Sequence, residues 1–316
     1  MNTEILRVDP TSPEPGTITH AANLIRAGRL VAFPTETVYG LGANALDSAA
    51  VRRIFEAKGR PASNPLIVHV AAPSQLGNVA AEWPETAARL AAKFWPGPIT
   101  IVVPKKPDVP DEVTAGGPTV ALRCPNHPVA RELILAAGVP IAAPSANRST
   151  ELSPTCAAHV LKGLGGHIDL ILDGGPCNGG IESTVVDATG SVVRLLRLGL
   201  ITVPMLEEIV GKVEVVEKPD TVARSPGQMA KHYSPRTPVR LVEGIDLVDD
   251  FLEARNVGKN CGMMTLPSDP SIAAAELYAT LHRLDESAFD LILIEMPPDT
   301  PEWAAVRDRL MRAAAK

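Results

Sequence analysis

Short apolar runs of strand length alternate with helix-length segments along most of this chain, and that alternation restricts it to an α/β fold. Thr19 to Ala27 reads as a helix closed by Gly28, and Leu30 to Phe33 follows as a buried strand. Asp47 is placed to cap a helix running to Ala57. Leu66 to Val70 reads as a strand, Pro84 to Phe94 as a helix and Ile99 to Val103 as a strand. Further strands are expected at Thr119 to Arg123, Ile141 to Ala143, Leu170 to Leu172, Ser183 to Asp187 and Val192 to Leu196, before a helix at Val203 to Val210. Several connections are too short for parallel crossovers, so the sheet should be mixed in direction.

Periodicity fades from Lys212 to Pro238, where Pro219, Ser225-Pro226-Gly227 and Ser234-Pro235 punctuate the chain. Beyond it, strands at Val239 to Val242, Cys261 to Met264 and Leu291 to Ile294 alternate with helices at Leu247 to Arg255, Ile272 to Arg283 and Glu302 to Arg312. A large unit over residues 1–211, a linker over 212–238 and a small α/β unit over 239–316 are therefore expected, as the length of 316 residues also suggests.

Composition excludes several classes. The 45% hydrophobic and 21% charged content is that of a globular chain, with aromatics at only 3%. A net charge of -6 argues against nonspecific nucleic-acid binding, which needs clustered Lys and Arg. The four cysteines are scattered without a CxxC pair, which speaks against zinc and for a reducing, cytoplasmic setting. Met1 to Pro15 lacks a signal-peptide core, and no apolar run reaches the ~18 residues of a membrane span.

The residues with chemistry fall at the ends of expected strands, where open α/β sheets place ligands. Phe33-Pro34-Thr35-Glu36-Thr37-Val38-Tyr39-Gly40-Leu41-Gly42 reads as a polar, glycine-punctuated loop leaving a strand. Gly40 to Ala45 fits the loose pattern GxGxxA, but no acid follows at the distance a dinucleotide site requires. A P-loop is absent, so any phosphate must be held by side chains or helix termini. Lys58 and Arg60 flank Gly59 at a helix end; cations there complement the helix dipole, and the rigid segment Arg60-Pro61 to Asn64-Pro65 would also hold both in one place. His69 and Arg123 each end a strand, and Ala143-Pro144-Ser145-Ala146-Asn147 sets two short polar side chains after another. That segment is not a nucleophile elbow, and no Ser-His-Asp set has readable spacing. Asp173 to Thr184 is rich in turn residues and reads by default as a hairpin or tight turn.

Taken in order, Pro34 to Leu41, Lys58-Gly59-Arg60-Pro61, Asn64-Pro65-Leu66, Ser145-Ala146-Asn147 and Glu182-Ser183-Thr184-Val185-Val186-Asp187 resemble the threonylcarbamoyl-AMP synthase (YrdC-like) family, over about Ile18 to Leu198. The remainder is similar to the long form of that family, whose linker carries a His-Tyr pair, here His232-Tyr233. Many relatives have Met directly after the linker glycine, where this chain has Gln228. The resemblance implies a YrdC-like domain with a twisted mixed sheet around a cleft and a small Rossmann-like domain. It implies a nucleotidyltransferase that converts L-threonine, bicarbonate and ATP into threonylcarbamoyl-AMP and pyrophosphate, for transfer to a tRNA adenosine by partner machinery. L-threonine would be held by Thr37, His69, Arg123, Ala143 and Ser183. ATP would be held by Arg60, Asn64, Thr119, Ser145, Asn147, Arg197, His232 and Tyr233. Lys58 and Arg60 would serve catalysis by facing phosphate and bicarbonate oxygens, with magnesium entering on the nucleotide phosphates and no protein metal site. An RNA-binding module without turnover is the alternative from another class, and these residues do not decide whether tRNA itself is contacted. A hydrogenase-maturation carbamoyltransferase ranks behind both, because such enzymes carry CxxC modules.

Overall fold

The computed structural model describes residues 2–216, 234–243 and 246–315. Its first sheet contains eleven strands: β1 (Glu4–Arg7), β2 (Val31–Phe33), β3 (Gly40–Asn44), β4 (Ile67–His69), β5 (Ile99–Pro104), β6 (Thr119–Arg123), β7 (Ile141–Ala142), β8 (Leu170–Asp173), β9 (Thr184–Asp187), β10 (Val193–Arg197) and β11 (Val213–Val215). Their spatial order is β1-β8-β2-β3-β7-β4-β6-β5-β9-β10-β11. Parallel pairs such as β4 with β6 and β5 with β9 alternate with antiparallel ones such as β2 with β3 and β5 with β6. The sheet is mixed, as the short connections require.

Helices on its faces bury mainly Ala, Val, Leu and Ile, with few aromatics such as Phe55 and Phe94, in keeping with the composition. The helix Ser48–Lys58 illustrates the local logic. Asp47 accepts hydrogen bonds from the amides of Ala49 (2.8 Å) and Ala50 (3.2 Å), and Gly59 ends the helix in the left-handed conformation at φ 60°. One face buries Val51, Ile54 and Phe55 in the core, so the terminal Lys58 is carried inward with them.

A second, all-parallel sheet holds β12 (Val239–Val242), β13 (Cys261–Met264) and β14 (Leu291–Glu295) in the order β12-β14-β13. Helices Pro270–Glu286 and Ala304–Ala314 pack with it on the large unit. Leu277, Tyr278, Leu281 and Leu310 share one apolar cluster with Val38, Leu152 and Ile181.

Some expectations need correction. Gly40 to Asn44 is a strand, not a loop. Glycine is required at position 42 because a Cβ there would lie 2.7 Å from the Phe33 ring and 2.9 Å from Ile141 Cγ2. The polar start contributes the edge strand β1, paired with β8. Helices Pro128–Ala137 and Ala157–Leu164 were not expected. Within the segment expected as linker, β11 pairs in parallel with β10. The segment from Asp173 to Thr184 is no hairpin, because it joins β8 to β9 across most of the sheet.

Candidate active site

Phe33 and Ala142 end β2 and β7 beside Gly40, which begins the opposed β3, whereas His69, Arg123 and Arg197 end β4, β6 and β10 beside Ile99 and Thr184, which begin the opposed β5 and β9. Because β4 is antiparallel to β7, the two sets of termini point to opposite ends of the sheet, and residues from both line one cavity. That cavity, of about 470 Å³, is lined among others by Thr37, Arg60, His69, Arg123, Ser145 and Arg197. Ala143 also lines it.

Each of the three guanidiniums is held by its own loop. Arg60 donates from Nε to the Asn64 carbonyl (3.2 Å) and from Nη2 to the Pro65 carbonyl (3.0 Å), so the proline-stiffened turn fixes it. Arg123 Nη2 donates to Thr37 Oγ1 at 2.8 Å and lies 2.7 Å from Glu36 Oε1. Arg197 donates from Nε to the Ser183 carbonyl (3.0 Å) and from Nη2 to the Ser183 hydroxyl (3.1 Å), which also bonds Thr100 Oγ1 at 2.8 Å. The Pro34–Tyr39 loop is braced in turn: Thr35 Oγ1 donates to the Val38 carbonyl (2.7 Å), and the Gly179 amide donates to the Glu36 carbonyl (2.7 Å).

Electrostatically the cavity is cationic with a neutral imidazole. His69 pairs in register with Arg123 across β4 and β6. Burial, reinforced by the Arg123 charge, pushes its pKa down to about 3, so the ring stays uncharged at neutral pH. Among the described residues, His69 Nδ1 and Arg123 Nε are buried without a hydrogen-bond partner. Buried polar atoms normally find partners, so these two are placed for a ligand.

Lys58 behaves differently from the expectation that it faces bicarbonate and phosphate. Its ammonium donates to the carbonyls of Ser145 (2.6 Å) and Asn147 and reaches the Asn147 side-chain oxygen at 3.5 Å. Burial, then the nearby Arg60, lowers its pKa well below the usual lysine value. The bonds run to another segment and not to its own helix end, so Lys58 ties the Ser145–Asn147 segment to the helix. That segment also lies against the Pro34–Tyr39 loop, through the Ala146 amide to the Tyr39 carbonyl at 2.8 Å.

Other expected residues stand further out. Asn64 meets Arg60 through its carbonyl, Asn147 meets Lys58, and Ser183 meets Arg197. Thr119 begins β6, at the opposite end of that strand from Arg123. His232 and Tyr233 lie outside the described residues. Two carboxylates escaped sequence reasoning, Glu36 against Arg123 and Glu182 at the cavity wall. Both stand inside motifs that were legible, next to the residues singled out. No group of three or more His, Cys, Asp or Glu among the described residues is arranged to hold a metal ion, and no helix there is long and apolar enough to cross a membrane.

Comparison with known proteins places this geometry. Residues 23–199 match the family model described as Telomere recombination, and residues 201–315 match the one described as Threonylcarbamoyl-AMP synthase, C-terminal domain. The chain is 42% identical to the threonylcarbamoyl-AMP synthase of Bacillus subtilis, over 97% of this chain and 95% of that one. It is 43% identical to the protein of the same name from Pyrococcus abyssi, over 93% of each. The crystal structure of P. abyssi Sua5 complexed with L-threonine superposes with a TM-score of 0.94 at 41% identity, covering 99% of this chain and 98% of that one.

Proposed function

Since this chain belongs to the threonylcarbamoyl-AMP synthase family in its two-domain form, we propose that it joins L-threonine, bicarbonate and ATP into threonylcarbamoyl-AMP with release of pyrophosphate. The observation that carries the reading is the convergence of Arg60, Arg123 and Arg197 with a neutral His69 on one cavity. Such a site suits an amino-acid carboxylate beside a polyphosphate.

The threonine amine takes up bicarbonate with loss of water, and a carbamate oxygen then attacks the α-phosphorus as pyrophosphate leaves. Neither step needs a covalent enzyme nucleophile. Arg123, steadied by Glu36 and Thr37, offers its Nε to the threonine carboxylate, with His69, Ala143 and Ser183 completing that pocket. Arg60 and Arg197 neutralise phosphate charge as it shifts to the leaving group, a contribution of preorganised electrostatics. Asn64, Thr119, Ser145, Asn147, His232 and Tyr233 complete the proposed nucleotide site. Lys58 acts by holding the Ser145–Asn147 segment in place. The cavity gathers cations rather than a carboxylate trio, so magnesium would arrive on the nucleotide, where it neutralises phosphate charge.

In this reading residues 1–211 together with β11 form the catalytic unit and 239–316 the small domain, joined by the rest of 212–238. The product passes to a transferase that modifies a tRNA adenosine, in the cytoplasm. The test is pyrophosphate release from ATP and magnesium, with L-threonine and bicarbonate omitted in turn and labelled bicarbonate followed into product. Release that needs both, with label in an adenylate, supports the synthase. Release that needs neither indicates a nucleotide hydrolase, and no release from folded protein favours the RNA-binding alternative.

A further inference from the structure

Among the described residues Arg309 is the largest side chain buried to this degree, at 1% exposure, and it belongs to the helix Ala304–Ala314. Yet its guanidinium engages the opposite unit. Nε donates to Glu182 Oε2 at 2.7 Å, and Nη2 donates to the Leu198 carbonyl at 2.9 Å. Glu182 immediately precedes Ser183, and Leu198 immediately follows Arg197. Arg309 thus grips both segments that bring Ser183 and Arg197 together at the cavity.

The rest of the cluster orients the carboxylate. Tyr278, on the helix Pro270–Glu286, donates its hydroxyl to Glu182 Oε2 at 3.2 Å, and Ser153 donates to Oε1 at 2.5 Å. Burial by itself would raise the Glu182 pKa, but the Arg309 and Arg197 charges bring it below the ordinary glutamate value. The carboxylate therefore stays ionised between two guanidiniums of different units. Packing against the same segment is close. Gly180 adopts φ +70°, and a Cβ there would fall 2.2 Å from the Ala274 carbonyl oxygen of the small unit. Small displacements of that unit must consequently move the Gly180–Ser183 backbone.

We propose that Arg309 is a positioning residue for the L-threonine site, acting through Glu182 and Leu198 on the Ser183–Arg197 pair. The small domain is in this sense a structural part of the site. The proposal rests on the functional reading above, in which Ser183 holds L-threonine.

The experiment measures L-threonine binding by calorimetry and the steady-state KM and kcat of the full chain, for wild type and four variants. Arg309→Met should weaken L-threonine binding and raise its KM by about tenfold, and Arg309→Lys should recover part of this because the charge beside Glu182 returns. Tyr278→Phe removes one hydroxyl and should give a smaller rise, roughly threefold. Leu293→Ala, in the small unit's other apolar cluster with Val242 and Leu247, controls for stability: it should lower the unfolding temperature while leaving the L-threonine KM at the wild-type value. If Arg309→Met does not fold, Arg309→Lys and Tyr278→Phe carry the test. Unchanged L-threonine binding in the folded Arg309 and Tyr278 variants would overturn the positioning role, as would an equal KM rise in Leu293→Ala. Wild-type protein that binds no L-threonine would overturn the functional reading, and the proposal with it.

Discussion

Arg123 and Glu36 lie 2.7 Å apart at the buried end of the cavity, and the same Arg123 nitrogen donates to Thr37. One loop thereby holds the guanidinium from one side and leaves Nε without a partner among the described residues. Glu36→Gln keeps the shape and removes the charge. The KM for L-threonine should rise about tenfold, equivalent to roughly 1.4 kcal/mol, while ATP binding stays near wild type. Titration of each substrate separately checks this, and equal losses for both would contradict it.

Arg60 and Lys58 should separate by phenotype. Arg60→Ala removes a cation from the cavity and should lower kcat by roughly 10²-fold, a loss larger than the destabilisation from its freed Asn64 and Pro65 carbonyls accounts for. Lys58→Met leaves the carbonyls of Ser145 and Asn147 without their donor, each at a cost of about 1–3 kcal/mol. It should therefore lower both turnover and unfolding temperature. A thermally normal Lys58→Met with full activity would dismiss its role in holding the loop.

Buried His69 has a consequence for acid stability. Its native pKa is about 3 against a usual 6.5, so the unfolded chain binds a proton there that the native chain refuses. Stability should consequently fall as pH drops from about 6.5 toward 3, and the contribution is complete above that window. His159, at about 4, adds to the slope in the same direction, chiefly through its burial. Urea unfolding between pH 7 and 5 should show a shallower dependence in His69→Gln than in wild type. An identical slope would exclude His69 as the source.

Two glycines with positive φ should respond unequally to alanine. Gly138, at φ 68°, has open space where a Cβ would go, so the strain of the left-handed conformation alone applies, roughly 1 kcal/mol. Gly180 adds contacts of 2.2 Å and 2.5 Å with the Ala274 and Ala275 backbone. Gly180→Ala should be several times more destabilising and should also impair L-threonine binding. Parallel thermal unfolding of the two variants decides the matter, and comparable shifts would mean that the small domain yields easily.

Much of the first unit was legible because its signals are local. Asp47 and Gly59 mark both ends of a helix whose apolar face repeats with helical spacing, and β4, β5 and β6 are short, mostly apolar runs. β3 was read as a loop because Gly40 and Gly42 have no side chains to show alternation; what fills their place is the Phe33 ring on the neighbouring strand. β1 is an edge strand whose residues are mostly exposed, so no buried face marked it. The Asp173–Thr184 segment has the composition of a tight turn, and only the position of β9 beyond β5 reveals that it crosses most of the sheet.

The sequence by itself determined the α/β class, the main strands and helix ends, and the short motifs that identify the family, since all of these depend on residues near one another in the chain. The tertiary structure alone decided which charges meet. Arg123 finds Glu36, Lys58 finds the Ser145–Asn147 carbonyls, and Glu182 finds Arg309, each across long stretches of chain. Burying such charges is favourable only when a partner of opposite sign or a set of carbonyls is already in place. That condition is met by the packing of separate strands and of two sheets, and no local pattern encodes it.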